Sequence, residues 1–240
     1  MIDASGVLAI DKPVGASSAR VVGWVKRLLA HKVKVGHAGT LDPFATGVLL
    51  VLVGKATKLS EQLMGQPKKY VATIKLGAIT DTLDPTSPET FVTSAPPVHR
   101  EAIDAVLTSF SGQISQMPPN FSALKVGGRR AYQLARLGEN VVLEPRLVMI
   151  YSITLLKYEW PFLTIDLYCG KGTYVRSLAR DIGEKLGVGG GYLTELRRTA
   201  VGEFAVEDAV KSEALKSVDD VMTRLTIREA SRVQAKESSS

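Results

Sequence analysis

The spacing of hydrophobic positions changes several times along the chain. Residues 7–10 form a short apolar run that stops at Asp11-Lys12-Pro13, the pattern of a strand ending at a proline turn. Ser17 and Ser18 then offer N-caps to a helix whose Val21, Val22, Trp24, Val25, Leu28 and Leu29 share one broad face. Residues 36–47, GHAGTLDPFATG, follow neither the helical nor the strand period and hold three glycines and a proline, so they predict a loop. Residues 48–53 are continuously apolar between Gly47 and Gly54, which predicts a strand buried on both faces. Helical spacing returns over residues 55–64 at Ala56, Leu59 and Leu63.

From Tyr70 the pattern alternates, with Tyr70, Ala72, Ile74 and Leu76 on one face and Val71, Thr73 and Lys75 on the other. Residues 81–97, rich in proline, threonine and acid, read as a surface excursion. Ile103, Val106, Leu107 and Phe110 predict a helix with Gly112 as its C-cap. After Pro118-Pro119 the chain predicts a Gly127-Gly128 turn and a short basic helix over 129–137 that stops at Gly138. Two long strands, 146–156 and 163–169, flank Trp160-Pro161, and Thr173 is the predicted cap of a helix over 174–186. Strands and helices mix without regular βαβ alternation, so the class is α+β, in one domain.

Composition narrows the function. Of 240 residues 45% are hydrophobic and 22% charged, values of a folded chain and not of a disordered one. The longest apolar run, residues 48–53, is far short of the roughly 20 residues of a membrane span, and the basic-poor start gives no signal peptide. One cysteine, Cys169, excludes an internal disulfide and a thiolate-cluster zinc site, and three histidines leave little for a His-rich one. The expected address is cytoplasmic. The net charge is +6, and it is uneven: residues 1–36 carry six basic and two acidic side chains, whereas residues 81–104 carry five acids and one arginine. That split suits a polyanion-facing side, and equally a solvated surface of modest positive bias.

Several chemistries fail at the motif level. Gly47 to Thr57 has the wrong glycine spacing for a Walker A loop and Ala56 where a magnesium-binding hydroxyl belongs. No G-x-G-x-x-G or G-x-S-x-G run occurs. What remains is Asp42, in a glycine-bounded loop that leads into a buried strand, with its backbone restricted by Pro43. An Asp-Pro taken alone is a turn.

In context it is more. The run Gly36-His37-Ala38-Gly39-Thr40-Leu41-Asp42-Pro43, with Ala45-Thr46-Gly47-Val48-Leu49, resembles the catalytic motif of the bacterial TruB-type tRNA pseudouridine synthases. Asp11-Lys12-Pro13-x-Gly15-x-Ser17-Ser18 resembles the family's N-terminal motif, and Lys69-Tyr70 its second motif. Ser122-Ala-Leu-Lys-Val-Gly-Gly resembles its central insertion, and Gly172-Thr-Tyr-Val-Arg176 with Leu196-Arg197-Arg198-Thr199 its C-terminal motifs. These stand in the family's order over residues 6–206.

The resemblance implies a pseudouridine synthase fold: a central mixed, mainly antiparallel sheet with flanking helices and an inserted thumb loop. It implies a catalytic domain over 1–233, with the thumb at about 119–146. The chain departs from the family near its end: Val218, Val221, Met222 and Leu225 at helical spacing predict a helical extension at about 207–233 in place of a full C-terminal RNA-binding domain, and the serine-ended residues 234–240 predict a disordered tail. The implied reaction converts uridine 55 in the tRNA T loop to pseudouridine after base flipping, with no cofactor and no metal. The implied partner is tRNA alone, met by a monomer without obligate protein partner or membrane.

Residue by residue, the resemblance makes Asp42 the essential carboxylate, acting on the ribose or on the base. Arg176 is its cationic partner, and Tyr70 stacks on uracil or moves a proton. His37, Tyr174 and Leu196 contact the nucleotide, and Lys125, Arg129, Arg130 and Arg136 grip the RNA backbone. The residues alone leave other readings open. Arg176 reads as a helix-surface cation, Tyr70 as core, His37 as scaffold and the basic segment as a solvated hairpin. A catalytically silent RNA-binding protein and a guide-dependent synthase of the same fold stand beside the tRNA enzyme.

Overall fold

The computed structural model describes residues 5–31, 33–92, 97–122, 124–126, 128–137 and 143–226. In chain order the elements are β1 (Gly6–Lys12), α1 (Ser18–Leu28), β2 (Val35–Ala38), β3 (Thr46–Val53), a 3₁₀ turn (Gly54–Leu59), α2 (Ser60–Gly65), β4 (Lys68–Leu76), β5 (Ala78–Thr80) and β6 (Glu89–Phe91). They continue with α3 (Arg100–Thr108), β7 (Gly112–Gln116), β8 (Lys125–Val126), β9 (Arg129–Arg130), α4 (Ala131–Arg136), β10 (Arg146–Glu159), β11 (Phe162–Cys169) and α5 (Val175–Lys185). The last are β12 (Gly191–Val201), β13 (Phe204–Ala205), β14 (Val210–Lys211), a 3₁₀ turn (Ser212–Ala214) and α6 (Val218–Met222).

One sheet organises the molecule, in the order β14-β1-β3-β12-β4-β11-β10-β7, with β2 also paired to β3 and β13 to β12. Pairing is antiparallel except between β1 and β14 and between β3 and β12. It is the mixed, mainly antiparallel α+β sheet that the sequence predicts. The alternation of β4 buries Tyr70, Ala72, Ile74 and Leu76. Against that face pack Val175, Leu178, Ala179 and Ile182 of α5 and Ile103 and Leu107 of α3. Strand β3 is buried on both faces, as its unbroken apolar run requires. Leu49, Val51 and Val53 meet Val21, Val25 and Leu29 of the α1 segment, and Val48, Leu50 and Leu52 meet Ala56, Leu63 and Val201.

The far edge of β3 forks. Residues 50–53 pair with β2, while Thr46 and Gly47 pair with Arg197 and Arg198 of β12. Gly47 adopts φ +101° at the fork, and a Cβ there would lie 2.1 Å from the Arg198 carbonyl oxygen, so only glycine fits.

Other expectations need correction. Ser17 caps α1 as read, accepting from the Arg20 amide at 3.2 Å. Thr173 does not cap α5; its hydroxyl donates to the Gly170 carbonyl, and Tyr174 holds the N-cap position. Gly112 caps no helix. It opens β7, an edge strand too polar to show a strand period. The helix read at 55–64 is a 3₁₀ turn followed by α2. Residues 36–38 join β2 instead of the loop. The tail at 234–240 lies outside the described residues.

Candidate active site

Asp42 stands in the loop between β2 and β3, and the N-terminal motif holds that loop by its backbone. Ser18 Oγ donates to the Leu41 carbonyl at 3.0 Å and accepts from the Leu41 amide at 2.9 Å. Lys12, fully buried, places Nζ between the carbonyls of Pro13 (2.9 Å), Ala16 (2.8 Å) and Pro43 (3.2 Å). The Gly15 amide reaches the same Pro43 carbonyl at 2.7 Å. The two residues flanking Asp42 are therefore pinned, and its carboxylate direction with them.

That carboxylate meets Arg176, on the first turn of α5. Nε lies 3.0 Å from Oδ2 and Nη2 3.4 Å from Oδ1. The rest of the guanidinium is also occupied: Nη1 donates to the Thr82 carbonyl (2.9 Å) and faces Asp84 Oδ2 (3.5 Å), and Nη2 donates to the Phe121 carbonyl (2.9 Å). Asp84 is oriented in turn. Its Oδ1 accepts from the Thr82 hydroxyl at 2.7 Å, the Thr86 amide at 3.0 Å and the Thr86 hydroxyl. The Arg176 side chain is 7% exposed, whereas that of Asp42 remains 32% exposed toward the cleft. Such a clamp fixes a carboxylate more firmly than a surface ion pair does.

The cleft encloses about 730 Å³. Tyr70, Tyr174, Leu196 and Arg198 line it together with Asp42 and Arg176, as do Lys68, Arg146 and Lys171. Tyr174 is held by Gln116 of β7, whose amide group accepts from the Tyr174 N–H at 2.8 Å and donates to its carbonyl at 3.1 Å. Burial pushes the Asp42 carboxyl above the ordinary carboxylate range, Arg176 draws it back down, and Asp84 pushes it up again. Burial also raises the phenols of Tyr70 and Tyr174. It lowers the amines of Lys12 and Lys68 to about 8.

Asp42, Tyr70, Tyr174 with Arg176, and Leu196 thus converge from four separate stretches of sequence. His37 does not join them at the cleft wall; it lies on β2 opposite Val51. Arg129 is exposed on β9, and the side chains of Lys125, Arg130 and Arg136 lie outside the described residues. The sequence reading missed three contributors: Asp84, Lys68 and Arg198. Residues 81–97 are not wholly a surface excursion, because Leu83 and Asp84 are buried. Asp84-Pro85 repeats the Asp42-Pro43 dipeptide and was the available signal. Among the described residues no group of three or more His, Cys, Asp or Glu side chains is arranged to hold a metal ion. No helix among them is long and apolar enough to cross a membrane.

The chain matches the family model for the TruB family pseudouridylate synthase N-terminal domain over residues 26–175. It matches the tRNA pseudouridylate synthase B C-terminal domain over residues 176–228. It is 47% identical over 215 residues to the tRNA pseudouridine synthase B of Bacteroides fragilis, covering 85% of this chain and 89% of that one. It is 45% identical over 225 residues to that of Mycobacterium tuberculosis, covering 91% and 72%. Among solved structures, the archaeal box H/ACA sRNP Nop10-Cbf5 complex contains a similar chain. There the TM-score is 0.64 and the identity 32%, over 88% of this chain and 52% of the other, so this chain spans about half its length. Fold and matched models define a pseudouridylate synthase. The chain belongs to the TruB family of these enzymes.

Proposed function

We propose that this protein isomerises uridine 55 in the T loop of tRNA to pseudouridine, in the cytoplasm, with Asp42 as its essential carboxylate. The observation that carries the reading is the Asp42–Arg176 pair, its donor 3.0 Å from its acceptor, in a cleft bordered by an aromatic ring and further cations. The reaction breaks the bond from ribose C1′ to uracil N1, turns the ring and joins C1′ to C5. The proton lost from C5 is matched by one gained at N1, so no redox equivalent or group donor is consumed.

Arg176 opposes the rise that burial imposes on the Asp42 carboxyl and so favours its ionised form. An ionised carboxylate needs no partner base to act on the ribose or the base. The Tyr70 ring stacks on the extruded uracil, and its hydroxyl exchanges a proton at the base. Tyr174 and Leu196 hold the nucleotide, His37 supports the loop behind Asp42, and Lys125, Arg129, Arg130 and Arg136 contact RNA phosphates. Extruding the base costs a few kcal/mol of stacking, which these contacts offset. The chain is one catalytic domain through residue 233 with a thumb at about 119–146, and it works as a monomer.

The test is pseudouridine mapping in unmodified tRNA incubated with the purified chain alone. We expect modification at position 55, and none with Asp42→Asn, which should still bind tRNA. Activity that appears only with added guide RNA or protein would favour the guide-dependent reading. Full turnover by Asp42→Asn would remove that carboxylate from the mechanism.

A further inference from the structure

We propose that Arg198 is a positioning residue for the reaction, tying Tyr70 and the Asp42 loop into one rigid unit and setting a buried positive charge beside the phenol. The inference rests on the assignment of Tyr70 to proton exchange made above. Arg198 is the residue of β12 that lies between the two halves of the site. It is the cross-strand partner of Tyr70 on β4 and of Gly47 on β3.

Its side chain is long, charged and 2% exposed. It fills the fork where β2 and β12 part along β3, and its donors serve the carbonyls that the fork leaves unpaired. Nε donates to Val48 O at 2.7 Å, Nη2 to Gly39 O at 3.3 Å and Nη1 to Thr40 O at 3.5 Å. Gly39 and Thr40 open the loop that carries Asp42, so the same cation braces that loop from behind.

Among the described residues Arg198 forms no ion pair. A buried guanidinium without a carboxylate is costly, and a neutral donor would satisfy the same carbonyls. The charge therefore has another object. The guanidinium lies beside the Tyr70 hydroxyl, and its charge opposes the rise that burial imposes on that phenol. Two other groups facing the phenol, Cys169 on β11 and Asp42 from the loop, act the other way, so Arg198 is the cation that offsets them. Its like-charged neighbours Lys12 and Lys68 have amines drawn down to about 8, by burial first and by the Arg198 charge in addition. A phenol that takes up a proton from uracil C5 must first release its own, and an adjacent guanidinium favours the oxygen that has done so.

The experiment replaces Tyr70 with 3,5-difluorotyrosine, whose phenol ionises near neutral pH, and follows its ¹⁹F shift against pH in the full chain. In Arg198→Gln that phenol should ionise about one pH unit higher than beside Arg198. With natural Tyr70, the single-turnover rate on the plateau should fall about tenfold in Arg198→Gln, while its acid limb stays in place and tRNA Kd stays within about twofold. An unchanged fluorine titration overturns the proposal whatever the rate does. It does so without bearing on the reading of the chain as a synthase, which the position-55 assay tests separately.

Should Arg198→Gln fail to fold, Arg198→Lys takes its place, because it keeps a charge but cannot span carbonyls and phenol together. Its rate loss should shrink at least threefold in a Tyr70→Phe background, as coupled residues require. An equal loss in both backgrounds shows a merely structural arginine and overturns the proposal.

Discussion

Asp42 and Asp84 are two carboxylates on one guanidinium, and their environments give them different tasks. Asp84 is 5% exposed and held by three donors besides Arg176, so it orients the arginine. Asp42 keeps an open side toward the cleft. Replacing Asp84 with Asn removes one charge-assisted contact from Arg176, and the plateau rate should fall roughly tenfold to a hundredfold. The pH profile should move in a defined direction. In the proposed mechanism Asp42 acts in its ionised form, and its carboxyl stands above the ordinary range through burial first and the Asp84 charge in addition. The acid limb of the wild-type rate should therefore lie above the ordinary carboxylate range. In Asp84→Asn the negative neighbour is gone, so the Asp42 carboxyl drops and the limb moves to lower pH. Rates across pH 4 to 7 check both statements, and a limb moving upward would contradict the electrostatics.

Helix α5 and strand β12 carry most of the positional information for the site, since Arg176 sits on one and Leu196 and Arg198 on the other. They meet at a backbone contact. A Cβ on Gly183 of α5 would come within 2.1 Å of the Gly190 backbone, just before β12 begins. Helix propensity alone says that Gly183→Ala should stabilise by about 1 kcal/mol. The close approach reverses the sign, and overpacking of this kind costs about 1–3 kcal/mol or more. Urea unfolding should show a lower midpoint for Gly183→Ala at unchanged m, with kcat reduced as Arg176 shifts. A raised midpoint would mean that the two elements are not in tight contact.

The same elements explain what the linear pattern concealed. Strand β4 was legible because its alternation is unbroken over residues 70–76, and α1 and α5 because each shows one apolar face. Strand β12 was not. Register shifts between Leu193 and Glu195 and between Arg198 and Ala200 interrupt its two-residue period, and adjacent arginines occupy its middle. The four-residue β2 and the polar edge β7 are too short or too hydrophilic to declare themselves.

At the scale of the molecule, charge gathers where the chemistry is. The cleft wall carries five basic side chains against two acidic ones, in a chain whose excess is only +6 over 240 residues. Binding of tRNA should therefore weaken by about a hundredfold between 50 and 200 mM monovalent salt, as expected for a handful of phosphate contacts. Arg146→Gln and Lys171→Gln should each reduce the log–log slope by about one without changing which uridine is modified. Filter binding across a salt series measures the slope, and a flat dependence would place the RNA elsewhere.

The linear order of residues was enough to determine the α+β class, the helices with a single apolar face, the doubly buried β3, and, through a run of motifs, the family. It could do so because those features are periodic or contiguous. Folding alone decided that Asp84 backs Arg176, that Lys12 and Ser18 hold the loop around Asp42, and that Arg198 lies in the β3 fork beside Tyr70. Each of these joins residues far apart in the chain through donors and acceptors that only register and burial bring within reach. A local pattern carries no trace of such a pairing, because the physical cause lies in the partner strand.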